Sequence, residues 1–147
     1  NNKRIFICGN GGSAANAMHI ANDLIYGAGM KSGIGFNIEA LSSNSSVLTC
    51  LANDTGYENI FSEQLRVKAK KNDLLIVLSG SGNSKNIINV LKMAKKMSVK
   101  SFAILGFNGG KAKKICNYPI HFSVNDMQIS EDIQIIISHL LMKLLNK

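Results

Sequence analysis

The chain has no tryptophan, one proline (Pro119) and only nine acidic residues against 17 Lys and Arg in 147 positions. It also has no C-x-x-C pair and no apolar run approaching the ~18 residues of a membrane span. Each shortage excludes something. Scarce proline with 46% hydrophobic and 18% charged residues rules out a disordered or low-complexity chain. Cys8, Cys50 and Cys116 lie too far apart for a small disulfide framework. They read as small hydrophobes with free thiols in a reducing compartment. Lys3 and Arg4 precede only a short apolar stretch, so no signal peptide is legible and the cytoplasm is the expected location. The net charge of +8 is spread out. Its densest groups, Lys68/Lys70/Lys71 and Lys92/Lys95/Lys96, have helix-surface spacing and no interleaved aromatics. That excludes a nucleic-acid groove and leaves a solvated basic surface.

What is present alternates. Arg4–Cys8, Ile34–Ile38, Asp73–Leu78, Ser101–Leu105 and Pro119–Phe122 read as strands. Helices are expected from Ser13 to Tyr26, over Ser43–Leu51, Glu58–Lys70 and Lys85–Met97, in a short piece beginning at "NGGKAKK", and over Gln128–Leu145. Gly27–Gly35, with four glycines, and Asn53–Gly56 read as loop and turn. Ser13 is the expected N-cap of the first helix. Continuous apolar runs such as "DLLIVL" suit strands covered on both faces. The pattern predicts one α/β domain over 1–147: a three-layer αβα sandwich on a parallel sheet. The last helix carries a heavy apolar face that one small domain does not easily cover.

Three Gly/Ser loops fall at expected strand ends: Gly9–Ser13, Ser79–Ser84 and Gly106–Gly110. Ligands of open α/β sheets bind there. Glycine lets backbone N–H groups approach an anion, a helix N-terminus adds unpaired donors, and the hydroxyls of Ser79, Ser81 and Ser84 add more. The result is a phosphate cradle without a lysine. It is not a P-loop, and Ala14 stands where a dinucleotide fingerprint needs its third glycine, so no nucleotide cofactor is expected. His19 and Asp23 share a helix face at i,i+4. On the last helix, Gln128 and Glu131 lie three apart, and His139 lies eight residues beyond Glu131. By rotation alone, Asp132 lies nearer His139 than Glu131 does. His121 has no evident partner and reads as an ordinary strand histidine.

"GNGGSAANAMH" followed by "LSGSGNS" resembles the sugar isomerase (SIS) domain family, and more closely its phosphoheptose isomerase branch. The likeness runs on through "LANDTGYENIFSEQL", "ILGFNGGKAKKICNYPI" and "HLLMKLL", nearly the whole chain. Only the helical segment that family members carry before the first strand is without a counterpart. The resemblance implies a five-stranded parallel sheet of SIS, flavodoxin-like type, a homotetramer with sites at subunit interfaces, and no membrane or nucleic-acid partner. It implies aldose–ketose isomerisation of a phosphorylated sugar, most directly sedoheptulose 7-phosphate, for bacterial heptose synthesis.

By the same resemblance, Asn10, Gly11, Gly12, Ser13, Asp54, Ser79, Ser81, Ser84 and Gln128 would hold the substrate. Asp23 would be the base and His139 the second catalytic group. His19, Asp23, Glu131 and His139 would ligate Zn²⁺, the alignment favouring Glu131 over Asp132. Two histidines and two carboxylates suit that ion. The chain departs from the family pattern at five positions: Asp23 for Glu, Gly27 for Arg, Glu63 for Arg, Gly80 for Thr and Glu131 for Gln. A retired enzyme acting as a scaffold for a replication initiator protein is the alternative from another class. A sugar-phosphate sensor, or an isomerase of another sugar phosphate, is a further one.

Overall fold

The computed structural model describes residues 3–30 and 33–145. Five strands form one all-parallel sheet in the order β2-β1-β3-β4-β5: β1 Ile5–Cys8, β2 Ile38–Ala40, β3 Leu74–Ser79, β4 Lys100–Leu105 and β5 Tyr118–His121. The helices are α1 Gly12–Asn22, α2 Ser45–Thr55, α3 Ile60–Lys68, α4 Lys85–Lys96, α5 Ala112–Ile115 and α6 Met127–Leu145. This is the expected three-layer α/β sandwich.

Alternation along each strand sends side chains to opposite faces. Phe6, Cys8, Leu75 and Val77 enter a core shared with Phe61 and Leu65 of α3 and Ile87 and Leu91 of α4. Ile7, Leu78 and Ile104 face the other way, onto Ala17, Ile20 and Ala21 of α1. Ile135, Ile137 and Met142 of α6 complete that second layer.

Three expectations are corrected. The second strand is Ile38–Ala40, not Ile34–Ile38. Phe36 donates its N–H to the Leu24 carbonyl, and Gly35 packs so tightly on the Ile25 carbonyl that no Cβ fits. The segment therefore lies on the end of α1, and pairing with β1 begins only at Ile38 opposite Ile5. The helix expected over Ser43–Leu51 is Ser45–Thr55, capped by Asn44, whose side chain accepts from Val47 N. It continues through the expected turn at Asn53–Gly56 and stops at Gly56, whose φ of 90° ends it.

The first helix starts at Gly12 with Gly11 as its cap, and Ser13 sits inside its first turn with its hydroxyl turned elsewhere. It also ends differently: a π-turn over Asp23–Gly27 follows, in which Ala28 N donates to Asp23 O. The remaining helix and strand limits agree with expectation to within a few residues, as in Met127–Leu145 against Gln128–Leu145.

The order β2-β1-β3 makes the chain change direction across the sheet between β1 and β3. That crevice, outside the carboxyl ends of the two strands, is where open α/β sheets take ligands.

Candidate active site

The loops after β1 and β3 flank this crevice. Gly11 turns the first loop with φ 56°, a conformation glycine adopts without penalty. Asn10 is held in place: it exchanges amide bonds with buried Asn86 at 2.9 and 2.8 Å and accepts from the Tyr57 hydroxyl at 3.1 Å. The loop is thereby tied to the first turn of α4. In the second loop, Ser79 Oγ accepts from Gly82 N at 3.0 Å and Ser81 Oγ from Asn83 N at 3.3 Å. Each hydroxyl is held by a backbone donor and keeps its own proton to give away. Ser84 opens α4 without capping it by its side chain. Asn10, Ser13, Ser79, Gly80, Ser81 and Ser84 line one cleft of about 80 Å³. Larger cavities exist, one of about 470 Å³ between α2 and α3, but that one holds no histidine and touches no strand end.

The far wall of the cleft is α6, which contributes Met127 and Glu131. Met127 occupies the space a side chain at Gly80 would need, and the Glu131 carboxylate lies directly on Gly12. A side chain at either glycine would displace the end of one of these two flexible α6 side chains. Among its polar contacts, α6 meets α1 through Asn16, whose Nδ2 donates to Glu131 O and to Gln134 Oε1, both at 3.0 Å. Gln134 Nε2 in turn donates to Ser13 Oγ at 3.1 Å.

Farther along the same seam, three groups converge. Asp23 Oδ2 stands 3.3 Å from His19 Nε2 and 3.5 Å from His139 Nε2, and the two Nε2 atoms are 3.1 Å apart. The imidazoles meet edge to face. Both are about half exposed, while the carboxylate is more sheltered. Pairs Gly12/Glu131, Ser13/Gln134 and His19/His139 show that α1 and α6 run side by side in the same direction. His19 follows Ser13 by six residues, so trio and cleft are separated by about 9 Å of helix rise.

The expected metal set is therefore split. His19, Asp23 and His139 present ligand atoms within 4.8 Å of one another, and Glu131 is not among them. Glu131 lies a little over two turns from His139 and is drawn to Gly12 instead. Two imidazoles and a carboxylate are a zinc-type donor set. Ligands about 2.0–2.1 Å from a tetrahedral ion would stand about 3.3 Å apart, close to the distances among these three groups.

Four expected substrate residues are not among the cleft lining: Gly11 and Gly12, in the loop and first turn beside it, and Gln128 and Asp54. Gln128 is exposed at the start of α6, where Met127 faces the cleft in its place. Asp54 sits on α2 and accepts from its neighbours Cys50 Sγ and Asn53 Nδ2. That bond from Cys50, together with the Asp54 charge, raises the thiol pKa. Burial drives the Cys8 thiol far above its ordinary range, whereas Cys50 is exposed and Cys116 intermediate, so only Cys8 is the buried hydrophobe expected. His121 has partners after all: Nε2–H donates to Phe107 O at 3.0 Å, and Nδ1 accepts from Lys113 Nζ at 3.1 Å.

Asn86, Gln134 and Met127 were not singled out from the sequence. Gln134 had a signal: Ser130, Gln134 and Ser138 form an i,i+4,i+8 uncharged polar stripe along the helix, and these three are its buried residues.

A parallel α/β sheet with an anion cradle at its direction change, and a His/Asp/His group beside it, defines a phosphosugar-handling class. The SIS domain family matches residues 1–106. The chain is 37% identical to a phosphoheptose isomerase of Aliarcobacter butzleri over 99% of its length and 77% of the relative's. It is 38% identical to one from Nitratiruptor sp. over its full length and 78% of the relative's. The solved phosphoheptose isomerase of Neisseria gonorrhoeae superposes with a TM-score of 0.91 at 30% identity, covering 99% of this chain and 77% of that one. The chain belongs to the SIS domain family and, within it, to the phosphoheptose isomerases.

Proposed function

We propose that the protein interconverts sedoheptulose 7-phosphate and D-glycero-D-manno-heptose 7-phosphate. The observation that carries this is the α1–α6 seam, with a hydroxyl-lined cradle at one end and a sheltered carboxylate between two imidazoles at the other. The separation of about 9 Å of helix rise suits a phosphorylated sugar chain lying along the seam. A scaffold that only bound a protein would have no use for three converging ligand groups.

The phosphate sits among Ser79, Ser81 and Ser84, whose outward protons and the α4 N-terminus receive its charge. Ser13 lines the same cleft and meets the phosphate end, while Asn10, Gly11 and Gly12 border the sugar. Asp23 removes a proton from the carbon beside the carbonyl and returns it to the neighbouring carbon through an enediol. His139, within contact of that carboxylate, moves the proton between the two oxygens. His19 orients Asp23 from the preceding turn. The trio fits Zn²⁺, which when bound supplies positive charge to polarise the carbonyl and steady an enediolate. Asp54 and Gln128 remain assigned to the substrate, and Glu131, against Gly12, to the sugar rather than the ion.

The working unit is a homotetramer with sites between subunits. A cleft of about 80 Å³ is small beside the ~300–1,000 Å³ of ordinary ligand pockets, so more walls are needed. Ile25 and Tyr26 in the π-turn after α1, Met30 just beyond it, and Ile136, Leu140 and Leu144 on α6 are large exposed apolar residues. They offer the surface for a second copy. Three free thiols and a phosphorylated substrate fit the cytoplasm. No described helix is long and apolar enough to cross a membrane.

The test is conversion of sedoheptulose 7-phosphate to the aldose by zinc-loaded protein. Turnover abolished by Asp23→Asn and by His139→Ala is the expected result. Turnover that survives both would remove the assignment.

A further inference from the structure

Ser13 is buried, 3% exposed, yet it is one of the residues that line the cleft. A serine hydroxyl has one proton and two acceptor lone pairs, so what it offers a ligand depends on what holds it from behind. Here the holder is Gln134, 1% exposed and the one buried amide among the described residues of α6. A glutamine amide can flip, and its direction decides everything. Asn16 fixes it: Asn16 Nδ2 donates to Gln134 Oε1, and the same nitrogen donates to the Glu131 carbonyl, which admits no reversal. With its oxygen thus taken, Gln134 turns its NH₂ to Ser13 Oγ. Ser13 therefore accepts from inside the protein and keeps its proton for the cleft. Ser79 and Ser81 show the same polarity by another route, each accepting from a backbone N–H.

We propose that Gln134 is a positioning residue for substrate binding. The chain Glu131 C=O, Asn16, Gln134, Ser13 sets the Ser13 hydroxyl as a donor toward the anionic end of the substrate. It couples the last helix to the glycine loop through hydrogen-bond direction rather than packing. Gln134 touches no reacting atom, so its loss weakens ground-state and transition-state binding alike and leaves the chemical step alone. The inference rests on the isomerase reading of the cleft.

The experiment compares Gln134→Met, Gln134→Glu, Ser13→Ala and the double variant S13A/Q134M, on the full chain with zinc. Gln134→Met keeps length and removes the donor. It should raise KM for sedoheptulose 7-phosphate about 5- to 10-fold with kcat within about 2-fold, the loss of one neutral hydrogen bond. Gln134→Glu can only accept, so the Ser13 proton turns inward and KM should rise further. The double variant should bind no worse than Ser13→Ala, because Gln134 acts through that hydroxyl. Inorganic phosphate, read by the shift it causes in thermal midpoint, should follow the same order without any turnover. An unchanged KM and phosphate shift in Gln134→Met, or a full additive loss in the double variant, overturns the inference. Wild-type protein that binds phosphate in this order but turns over no heptose phosphate would sink the isomerase reading and spare the positioning role.

Discussion

The two faces of the sheet are built on opposite plans. On the α3/α4 face, eighteen buried hydrophobic residues form one continuous core. On the α1/α6 face the buried cluster has ten, and the buried residues of α6 itself are Ser130, Gln134 and Ser138. Ile135, Ile137 and Met142 pack inward only partly buried, while Ile136, Leu140 and Leu144 point to solvent. Glycines on the facing loops and on α1 let α6 come close: Ser130 lies on Gly106, Glu131 on Gly12, Met127 on Gly80. One face supplies stability from apolar burial. The other spends its buried positions on hydrogen bonds and close contacts that shape a site. Stability and chemistry are thus separable by face, and the following changes should show it.

The largest effect is expected on the site face. Asp23→Asn or His139→Ala should cut kcat about 10²- to 10⁴-fold, the usual weight of a general acid or base. Thermal stability should stay close to wild type, since His139 is half exposed and Asp23→Asn keeps the size and shape of a partly sheltered side chain. Assay and melting curve on the same samples check both halves. Next comes the packed face. Phe61, 1% exposed, fills the α3 core, and Phe61→Ala should cost about 3–5 kcal/mol in denaturant unfolding. Under native conditions kcat/KM of the folded fraction should be little changed; a collapse of kcat would mean the faces are not separable. Leu140→Ser is smaller for a single chain, about 0.5 kcal/mol or less, because Leu140 is exposed. Sedimentation should nonetheless show a weakened tetramer if that stripe is an interface. No change in mass would assign the stripe to something else.

The smallest effect is a pH slope. Burial holds the Cys8 thiol neutral in the folded state, while an unfolded thiol ionises near pH ~8.5. The folded chain then binds more protons than the unfolded one above that pH, so stability falls as pH rises past it and is unaffected below. Unfolding curves between neutral and alkaline pH read the slope. Cys8→Ala should flatten it at the cost of a small cavity.

Much of this was legible in the sequence, and for identifiable reasons. β3 was readable because "LLIVL" is apolar on both faces, as a strand covered on both sides must be. The His19/Asp23 pair was readable because helical spacing alone puts i and i+4 together. β2 was misplaced because Ile34 and Phe36 look like strand residues, while tight backbone packing at Gly35, invisible to periodicity, holds them on α1. Ser13 reads as a cap by residue type, but a partner 121 positions away claims its oxygen. Glu131 was drawn into the metal set by the family alignment. Which way its side chain goes depends on the close approach of α6 to Gly12, a tertiary fact. The apolar count of α6 was visible; that it divides between an inward set at Ile135, Ile137 and Met142 and an exposed set at Ile136, Leu140 and Leu144 was not, because a helix apolar on most sides gives no single stripe to read.

The most direct test of the account is an isomerase assay on sedoheptulose 7-phosphate with chelator-treated protein, before and after zinc is restored, for wild type and for His19→Ala. The account predicts turnover that falls on chelation and returns with zinc in wild type, and a loss in His19→Ala that zinc does not repair. Full activity in chelated protein, or in His19→Ala without metal, would contradict the assignment of His19, Asp23 and His139 as a zinc-assisted site.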